Sequence, residues 1–578
     1  MAKLSVDQKK VFDLLSGMNF LIPIYQRQYA WEERECLRLW DDLFSFAFLK
    51  GNEFDKNREE YFLGPIVTFS RDKNDKTQEV IDGHQRLITL LLLLRALYTH
   101  IEGKNGKYCD AARKNIEKCI WNTDEAEEPD MNSYKLETKV ATDEAKQELR
   151  EILQSGKTID SQKSRYAENY RSFQKQINEI ASEEASYDLA LMAIRIMNNC
   201  ILLPIEADTQ DTALQIFSTL NDRGKPLSNS DIFKAQLYEY YDNKGYKDEF
   251  IERWTYFEKL CTEIYQDSSL DEAFTRYMYY ERAKMGIKSA TLEALRKFYE
   301  TASYRLLRNE VTFENIIDLT SFWYDLFSQN SDRYRFSERV LKKLFVLNYA
   351  SNSMWEYIVS VYYLHNRDSN GMLDDEKFYN FLNRITAFIL GYLLMGKGLS
   401  DLKIPIYAEM VNIVEGRPVE FSKYKFDAER LAQAYKNYEF TTRKTLTKLM
   451  LAWWAFRDDE QKLLSIKDSF EIEYIYSKNL KYELKNSRNI ELLGNKTLLE
   501  KNINIKASDC RFVDKVRYYT GSSMLSLFGR RKQGTRIKDL LDIAKIFADF
   551  TEIDIIQRNE KILHEFISYE KANGLIEA

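Results

Sequence analysis

Proline, glycine and histidine are scarce: 578 residues hold seven prolines, 20 glycines and four histidines. So few chain-breaking residues argue against an all-β architecture with many tight turns and favour long helices with short connections. The six cysteines (Cys36, Cys109, Cys119, Cys200, Cys261 and Cys510) form no CxxC pair, and with so few histidines they disfavour a structural zinc site. Unpaired thiols suit a reducing compartment, and a cytoplasmic location is expected. Long apolar runs are also missing. The longest, "LITLLLLLRAL", is about half of the roughly 20 residues that a spanning helix needs, so no membrane segment is expected. The opening "MAKLSVDQKKVFDLLSG" carries an amphipathic helix pattern with acidic residues and lacks the apolar core of a signal peptide. A formal net charge of −6 gives no global attraction to nucleic acid or to an anionic membrane, so any such binding requires a local patch.

What is present is the composition of an ordinary folded protein, 44% hydrophobic and 30% charged. The length predicts about two to four domains. Residues 1–244 mix strand and helix signals. "YFLGPIVTFS" and "TQEVID" are strand-like runs joined by "RDKNDK", as in a hairpin, and "NCILLPIEAD" is a further buried strand. "WEERECLRLWDDLFSF" has helical periodicity, "TQDTALQIFSTLNDRG" predicts a helix closed by Gly224, and "LSNSDIFKAQLYEYY" starts a helix capped by Ser228 or Ser230. Residues 245–439 are aromatic-rich with helical spacing, a pattern that belongs to a core far more often than to a base-stacking surface. Residues 440–578 change character again, with the strand-like "FEIEYIYS", an Asn-rich turn region and two closing helices. The expected class is α+β, mostly helical, in these three parts.

Three polar clusters fall where core or turn residues belong. The first, "IPIYQRQYAW", contains Tyr25, Gln26, Arg27, Tyr29 and Trp31; the second, "IDGHQRLITL", contains Asp82, Gly83, His84, Gln85, Arg86 and Thr89. The third, "FSTLNDRGKPLSNSDIFKAQL", contains Asn221, Arg223, Gly224, Ser228, Asp231 and Lys234. Asp82-Gly83 ends a strand and opens a helix, whose first amides with Arg86 one turn in would seat a phosphate. Arg27 and Arg223 would add charge, and Asp82 or Asp231 would hold a metal or position water. The bland alternatives stay open: a common Asp-Gly turn, an Arg86 ion pair, and "NDRG" as a plain helix stop. No GxxxxGK[ST] motif occurs, so a nucleotide would be held differently from a P-loop protein.

"IPIYQRQYAW", "YFLGPIVTF", "VIDGHQRLITL" and "IFSTLNDRGKPLSNSDIFKAQL", in this order and spacing, resemble the N-terminal domain of the GmrSD-type modification-dependent restriction family, which includes GmrS-, SspE- and BrxU-like defence proteins. The resemblance implies a ParB/sulfiredoxin-like core with nucleoside-triphosphatase activity, using GTP or ATP with Mg²⁺, centred on a DGQQR motif. Asp82, Gly83, Gln85 and Arg86 fall on that motif, while His84 replaces its first Gln. It casts Asp82, Gln85 and Arg86 as catalytic and Gly83, His84, Asn221 and Arg223 as nucleotide-binding. Tyr25, Gln26 and Arg27 match a motif associated in the family with the same pocket or with sensing modified DNA.

Residues 440–578, with "IEYIYSKN", "LLGNKTLLEKNINIKASDCRFVDKVRYY" and "FTEIDIIQRNEKIL", resemble the family's HNH-type ββα nuclease domain with flanking helices. Tyr474 stands where that domain's general-base histidine is expected, and no other histidine falls in the strand–turn–helix region. A phenol with a pKa of about 10 is a poor base at neutral pH. A degenerate site at Tyr474, Asn495 and Asn504 is therefore expected, with either cutting left to a partner subunit or an effect through binding rather than cutting. Between residues 501 and 540 there are ten Lys or Arg against three Asp or Glu. Arg530, Arg531, Lys532 and Arg536 are the candidate DNA-backbone contacts there. The expected function is a nucleotide-binding or nucleotide-hydrolysing component of an anti-phage or restriction system that engages modified or phage-derived DNA. The rival readings are an active nicking endonuclease and a non-enzymatic sensor or scaffold; oligomeric state is left open.

Overall fold

The computed structural model describes residues 4–23, 26, 28–48, 59–70, 77–126, 128–140, 143–159, 161–180, 185–207, 212–213, 228–265, 270–289, 293–328, 336–350, 353–521 and 534–577. The described residues group into two units, one extending to Ile251 and one beginning at Glu252. The first holds strands β1 (Leu4–Val6), β2 (Lys9–Lys10), β3 (Asn19–Ile22), β4 (Tyr61–Phe69), β5 (Thr77–Asp82), β6 (Trp121–Thr123), β7 (Pro129–Tyr134), β8 (Leu136–Thr138) and β9 (Cys200–Ala207). Its helices are α1 (Val11–Gly17), α2 (Glu33–Phe48), α3 (His84–Ile101), α4 (Lys107–Ile120), α5 (Asp143–Ser155), α6 (Arg165–Ile180), α7 (Ala185–Asn199) and α8 (Asn229–Asn243).

Seven strands form one mixed sheet in the order β1-β9-β4-β5-β3-β8, with β2 also on β9. The expected β4–β5 pair is antiparallel, and the apolar β9 runs parallel to β4, buried at most positions. The chain start departs from the expected helix. Leu4–Val6 and Lys9–Lys10 are strands along β9, and helix begins only at Val11. The backbone groups on that side of β9 need partners, and extended chain supplies them where an amphipathic helix cannot.

Helix α3 carries the leucine run, is apolar around its circumference and is buried almost throughout, as expected for a helix enclosed on all sides. Beyond its polar first turn and Thr89, the helix also buries a charged residue, Arg95, which is 1% exposed. Its Nε donates to the Leu153 carbonyl at 2.8 Å and Nη2 to the Gln154 carbonyl at 3.2 Å, satisfying the last turn of α5. Gly156, at φ +67°, follows that turn, where a Cβ would lie 2.4 Å from Thr99 Oγ1. Helix α8 begins as expected at Ser228. The Ser228 Oγ accepts from the Asp231 amide at 3.2 Å, and Asp231 Oδ2 accepts from the Ser228 amide at 3.1 Å, a reciprocal cap.

In the second unit the aromatic stripes are core. Phe322 stacks on Tyr363 at 4.1 Å, Phe388 on Phe421 at 3.7 Å and Trp254 on Phe313 at 5.6 Å, all buried. Arg276, over the Trp323 ring at 4.3 Å, is neutralised by Glu272 and Glu356. Near the chain end β10 (Phe470–Tyr474) and β11 (Lys496–Glu500) form an antiparallel pair. Helices Lys501–Ala507, Phe512–Tyr519, Lys538–Ile546 and Glu552–Ala572 follow. The turn before β11 presses on the last of these at Gly494, where a Cβ would lie 2.2 Å from the Ile555 carbonyl oxygen.

Candidate functional site

The junction of β5 and α3 places the second polar cluster. Asp82 ends the strand, Gly83 stands at φ +90° as the helix N-cap, and His84 begins α3. Glycine is required twice over at this point. Its dihedral is one that L side chains rarely adopt, and a Cβ would sit 3.0 Å from Ile66 Cγ1 and 3.4 Å from the Pro65 carbonyl oxygen on β4. A glycine cap offers no side-chain acceptor, so the first-turn amides keep the anion-seeking character of a helix start.

Arg86 lies across β4. Its Nη1 donates to the Pro65 carbonyl at 2.8 Å, and the guanidinium covers Gly64, where a Cβ would be 3.1 Å from Nη1. That is its one hydrogen bond to the described residues, so most of the guanidinium fork is unspent. Burial lowers the Arg86 pKa, and the Asp82 charge opposes the shift. Gln26 approaches from the first cluster. It is 3% exposed, its Nε2 donates to the Ile81 carbonyl at 2.8 Å, and its Oε1 is buried without a partner.

Gln85 is used differently. Its Oε1 accepts from the Ala30 amide at 2.8 Å and the Trp31 amide at 3.1 Å, and its Nε2 donates to the Gln28 carbonyl at 3.0 Å. Those contacts fix the orientation of the amide, so Nε2 also donates to His84 Nε2 at 2.7 Å, which puts the imidazole proton on Nδ1. Beneath the same segment, Tyr29 OH pairs with Thr89 Oγ1 at 2.7 Å. Asn169 Nδ2 donates to Tyr29 OH at 3.0 Å and to the Trp31 carbonyl at 2.8 Å. Burial raises the Tyr29 pKa well above its ordinary value and pushes the Cys36 thiol, 3.6 Å from that hydroxyl, up to about 11. Asn169 is the member that sequence reasoning missed. Its signal is a lone Asn on the apolar stripe of an amphipathic helix.

The structure thus brings Gln26, Asp82, Gly83, His84, Gln85 and Arg86 together around the β5–α3 junction. Tyr25, Arg27, Asn221, Arg223 and the expected helix ending at Gly224 lie outside the described residues. Asp231 serves as a helix cap. Among the described residues no group of three or more His, Cys, Asp or Glu could hold a metal ion.

Residues 11–238, which contain five strands of this sheet, the junction and most of α8, match the family model of the GmrSD restriction endonuclease N-terminal domain. The N-terminal unit belongs to the GmrSD restriction family. No curated protein matches the chain. Among the described residues of the chain, no helix is long and apolar enough to cross a membrane, and all six cysteines are free thiols.

Towards the other end of the chain, outside the matched residues, the expected degenerate site resolves into two networks. Tyr474, on β10, donates its hydroxyl to Glu491 Oε2 at 2.9 Å. Lys496, fully buried and cross-strand from Tyr474, pairs with the same oxygen at 3.0 Å, and its Nζ sits 4.6 Å from the Tyr474 ring centre. Burial lowers Lys496 to about 8 against the pull of Glu491, and burial, followed by the Glu491 charge, raises Tyr474. On the opposite side, Glu473 accepts from Lys515 Nζ at 2.8 Å, Tyr519 OH at 2.6 Å and Asn504 Nδ2 at 3.1 Å. Burial nonetheless raises the Glu473 pKa. Asn495 is spent on backbone: Oδ1 accepts from the Tyr476 amide at 2.8 Å, and Nδ2 donates to the Ile490 and Tyr476 carbonyls at 3.1 and 3.2 Å. Arg536 pairs with Asp468 at 2.8 Å and Glu500 at 3.3 Å, while Arg530, Arg531 and Lys532 lie outside the described residues.

Proposed function

We propose that this chain is a restriction-type, anti-phage defence protein that engages DNA and whose N-terminal unit binds a nucleoside triphosphate, GTP or ATP with Mg²⁺, at the start of α3. One observation carries the reading: the β5–Gly83–α3 junction, where an uncapped helix start stands beside a guanidinium with most of its donors unspent. Backbone amides and Arg86 would hold phosphate oxygens, with Asp82 the carboxylate near enough to assist a bound cation. Gln26, with its orphaned buried acceptor at Ile81, suits an N–H of the ligand. The mixed sheet, with α3 following β5 in the chain, is compatible with a ParB/sulfiredoxin-like core.

The β10–β11 pair followed by helices Lys501–Ala507 and Phe512–Tyr519 supports an HNH-like ββα arrangement at the other end, without nuclease chemistry. Tyr474 is engaged by Glu491, Asn495 by backbone and Asn504 by Glu473, so the three do not converge on a common metal position. The residues present do not fit a catalytic metal there, and cutting falls to a partner subunit. A second reading, a nucleotide-binding sensor without turnover, is favoured by Gln85, whose amide is consumed by residues 28–31. The test is GTP and ATP binding and hydrolysis by the full chain beside Arg86→Ala. Binding with hydrolysis, both lost in the variant, supports the first reading. Binding alone supports the sensor, and no binding refutes both. Plasmid nicking with Mg²⁺ or Mn²⁺ that Asn495→Ala abolishes would overturn the silent-nuclease assignment.

A further inference from the structure

Among the described residues, no backbone–backbone hydrogen bond holds the segment Gln28–Trp31. Side chains hold it instead. Gln85 on α3 accepts from the Ala30 and Trp31 amides at 2.8 and 3.1 Å and donates to the Gln28 carbonyl at 3.0 Å. Asn169 on α6 donates to the Trp31 carbonyl at 2.8 Å and to Tyr29 OH at 3.0 Å. Of these four residues only Tyr29 is buried. Its hydroxyl meets Thr89 at 2.7 Å and its ring stacks on Tyr166 at 5.1 Å. Gln28 and Ala30 are exposed and Trp31 is half-buried.

The segment brackets the site proposed above. Gln26, two residues before Gln28, is bonded to the carbonyl of Ile81, two residues before Gly83. Gln85, two residues after Gly83, holds Gln28–Trp31. The chain is thus anchored on both sides of the β5–α3 junction. A segment with no ladder hydrogen bonds and one buried side chain opens locally long before its domain unfolds, and lids are drawn from such segments. Asn169 reaches the junction only through this segment, because its hydrogen bonds go to Tyr29 and Trp31 alone. It is 1% exposed and its own Oδ1 is buried without a partner. Leucine would fill that space without the cost of an unmade bond, so packing does not account for an amide there.

We propose that Gln28–Trp31 is a strap that gates the nucleotide site, and that Asn169 is its latch, a positioning residue acting on the site through Tyr29 and Trp31. The inference rests on the nucleotide reading at Gly83–Arg86. Nucleotide enters and leaves only while the strap is undocked, so releasing the latch speeds both directions together and leaves their ratio unchanged. Stopped-flow binding of N-methylanthraniloyl GTP and ATP with Mg²⁺ to the full chain tests this, beside hydrogen exchange of residues 28–32 without nucleotide. In Asn169→Leu both rate constants rise about tenfold, Kd stays within about twofold, and 28–32 exchanges about tenfold faster. Tyr29→Phe keeps the stacked ring, loses only the hydroxyl and behaves alike, so it carries the test if the first variant fails to fold. Ile177→Val, two turns along the same buried face of α6, lowers stability and leaves both rates unmoved. Unmoved rates in the latch variants, a change in Kd carried by one rate alone, or an equal rise in Ile177→Val overturns the strap while the nucleotide site stands. If the wild-type chain binds neither nucleotide, the site reading fails and the gate fails with it.

Discussion

Replacing Gln85 by Leu separates an architectural role from a chemical one. The side-chain amide satisfies two backbone donors, at Ala30 and Trp31, and one backbone acceptor, at Gln28. Leucine has a similar volume and none of these bonds, so three main-chain groups lose their partners at once. An orphaned buried group costs about 1–3 kcal/mol, but Gln28 and Ala30 are exposed enough for water to recover part of that. A loss of about 1 kcal/mol for each gives about 3 kcal/mol locally, which is roughly a hundredfold in the opening equilibrium of residues 28–31. Hydrogen exchange followed by mass spectrometry reads this directly: the peptide spanning 28–32 should exchange about a hundredfold faster in Gln85→Leu, with β9 unchanged. Gln85→Glu keeps the acceptor and loses the donor, so its effect should be intermediate. Exchange of 28–32 unaltered in Gln85→Leu, together with lost nucleotide turnover, would refute the architectural assignment and return Gln85 to the reacting groups.

Gly83→Ala forces a Cβ into a left-handed position and to 3.0 Å from Ile66 Cγ1, so thermal melting should show a loss of about 2 kcal/mol or more. Glu570 is fully buried with neither carboxylate oxygen hydrogen-bonded, and burial raises its pKa well above the ordinary 4.5. The folded state therefore holds a proton that the unfolded state releases, and stability falls as pH rises above about 4.5. Glu570→Leu should stabilise the chain by about 2 kcal/mol at pH 7 and flatten that slope, as measured by denaturation at pH 5 and pH 7.5. Lys496, lowered to about 8, has the reverse sign: the unfolded state binds more protons, so stability rises as pH goes from about 8 toward the ordinary 10.5. Glu491→Gln removes the charge that holds Lys496 up, so in melts from pH 6 to 10 the rise should begin at lower pH.

The β5–Gly83–α3 junction was legible because everything that makes it is local: a strand-like run, a glycine, then leucines at helical spacing. The cap of α8 was legible for the same reason, since Ser228 and Asp231 meet within one turn. What sequence could not assign is which polar residues still have hydrogen-bonding capacity to offer, because their partners are distant in the chain. Gln85 spends its amide on backbone 54 to 57 positions away, and Tyr474 spends its hydroxyl on a carboxylate 17 positions away. Asn495 looks like a ligand beside a turn, yet three backbone bonds consume it. Asn169 gave no cue beyond a polar residue on a buried helix face, since its partners lie 138 and 140 positions earlier.

Unspent capacity therefore ranks candidates differently from motif membership. Arg86 has most of a guanidinium fork in reserve and Gln26 a buried orphan acceptor, whereas the adjacent Gln85 is saturated. Substituting a saturated residue should cost order, and substituting an unspent one should cost binding. Arg86→Ala gives up one hydrogen bond to Pro65, at a cost of about 1 kcal/mol, yet it should abolish nucleotide binding. Gln26→Leu removes an unsatisfied acceptor together with one bond to Ile81, so stability should hold within about 1 kcal/mol while nucleotide affinity falls about tenfold. Melting curves and equilibrium nucleotide binding on the two variants test the ranking. If both lose stability and retain affinity, the junction is a buried turn and the phosphate seat must be sought elsewhere.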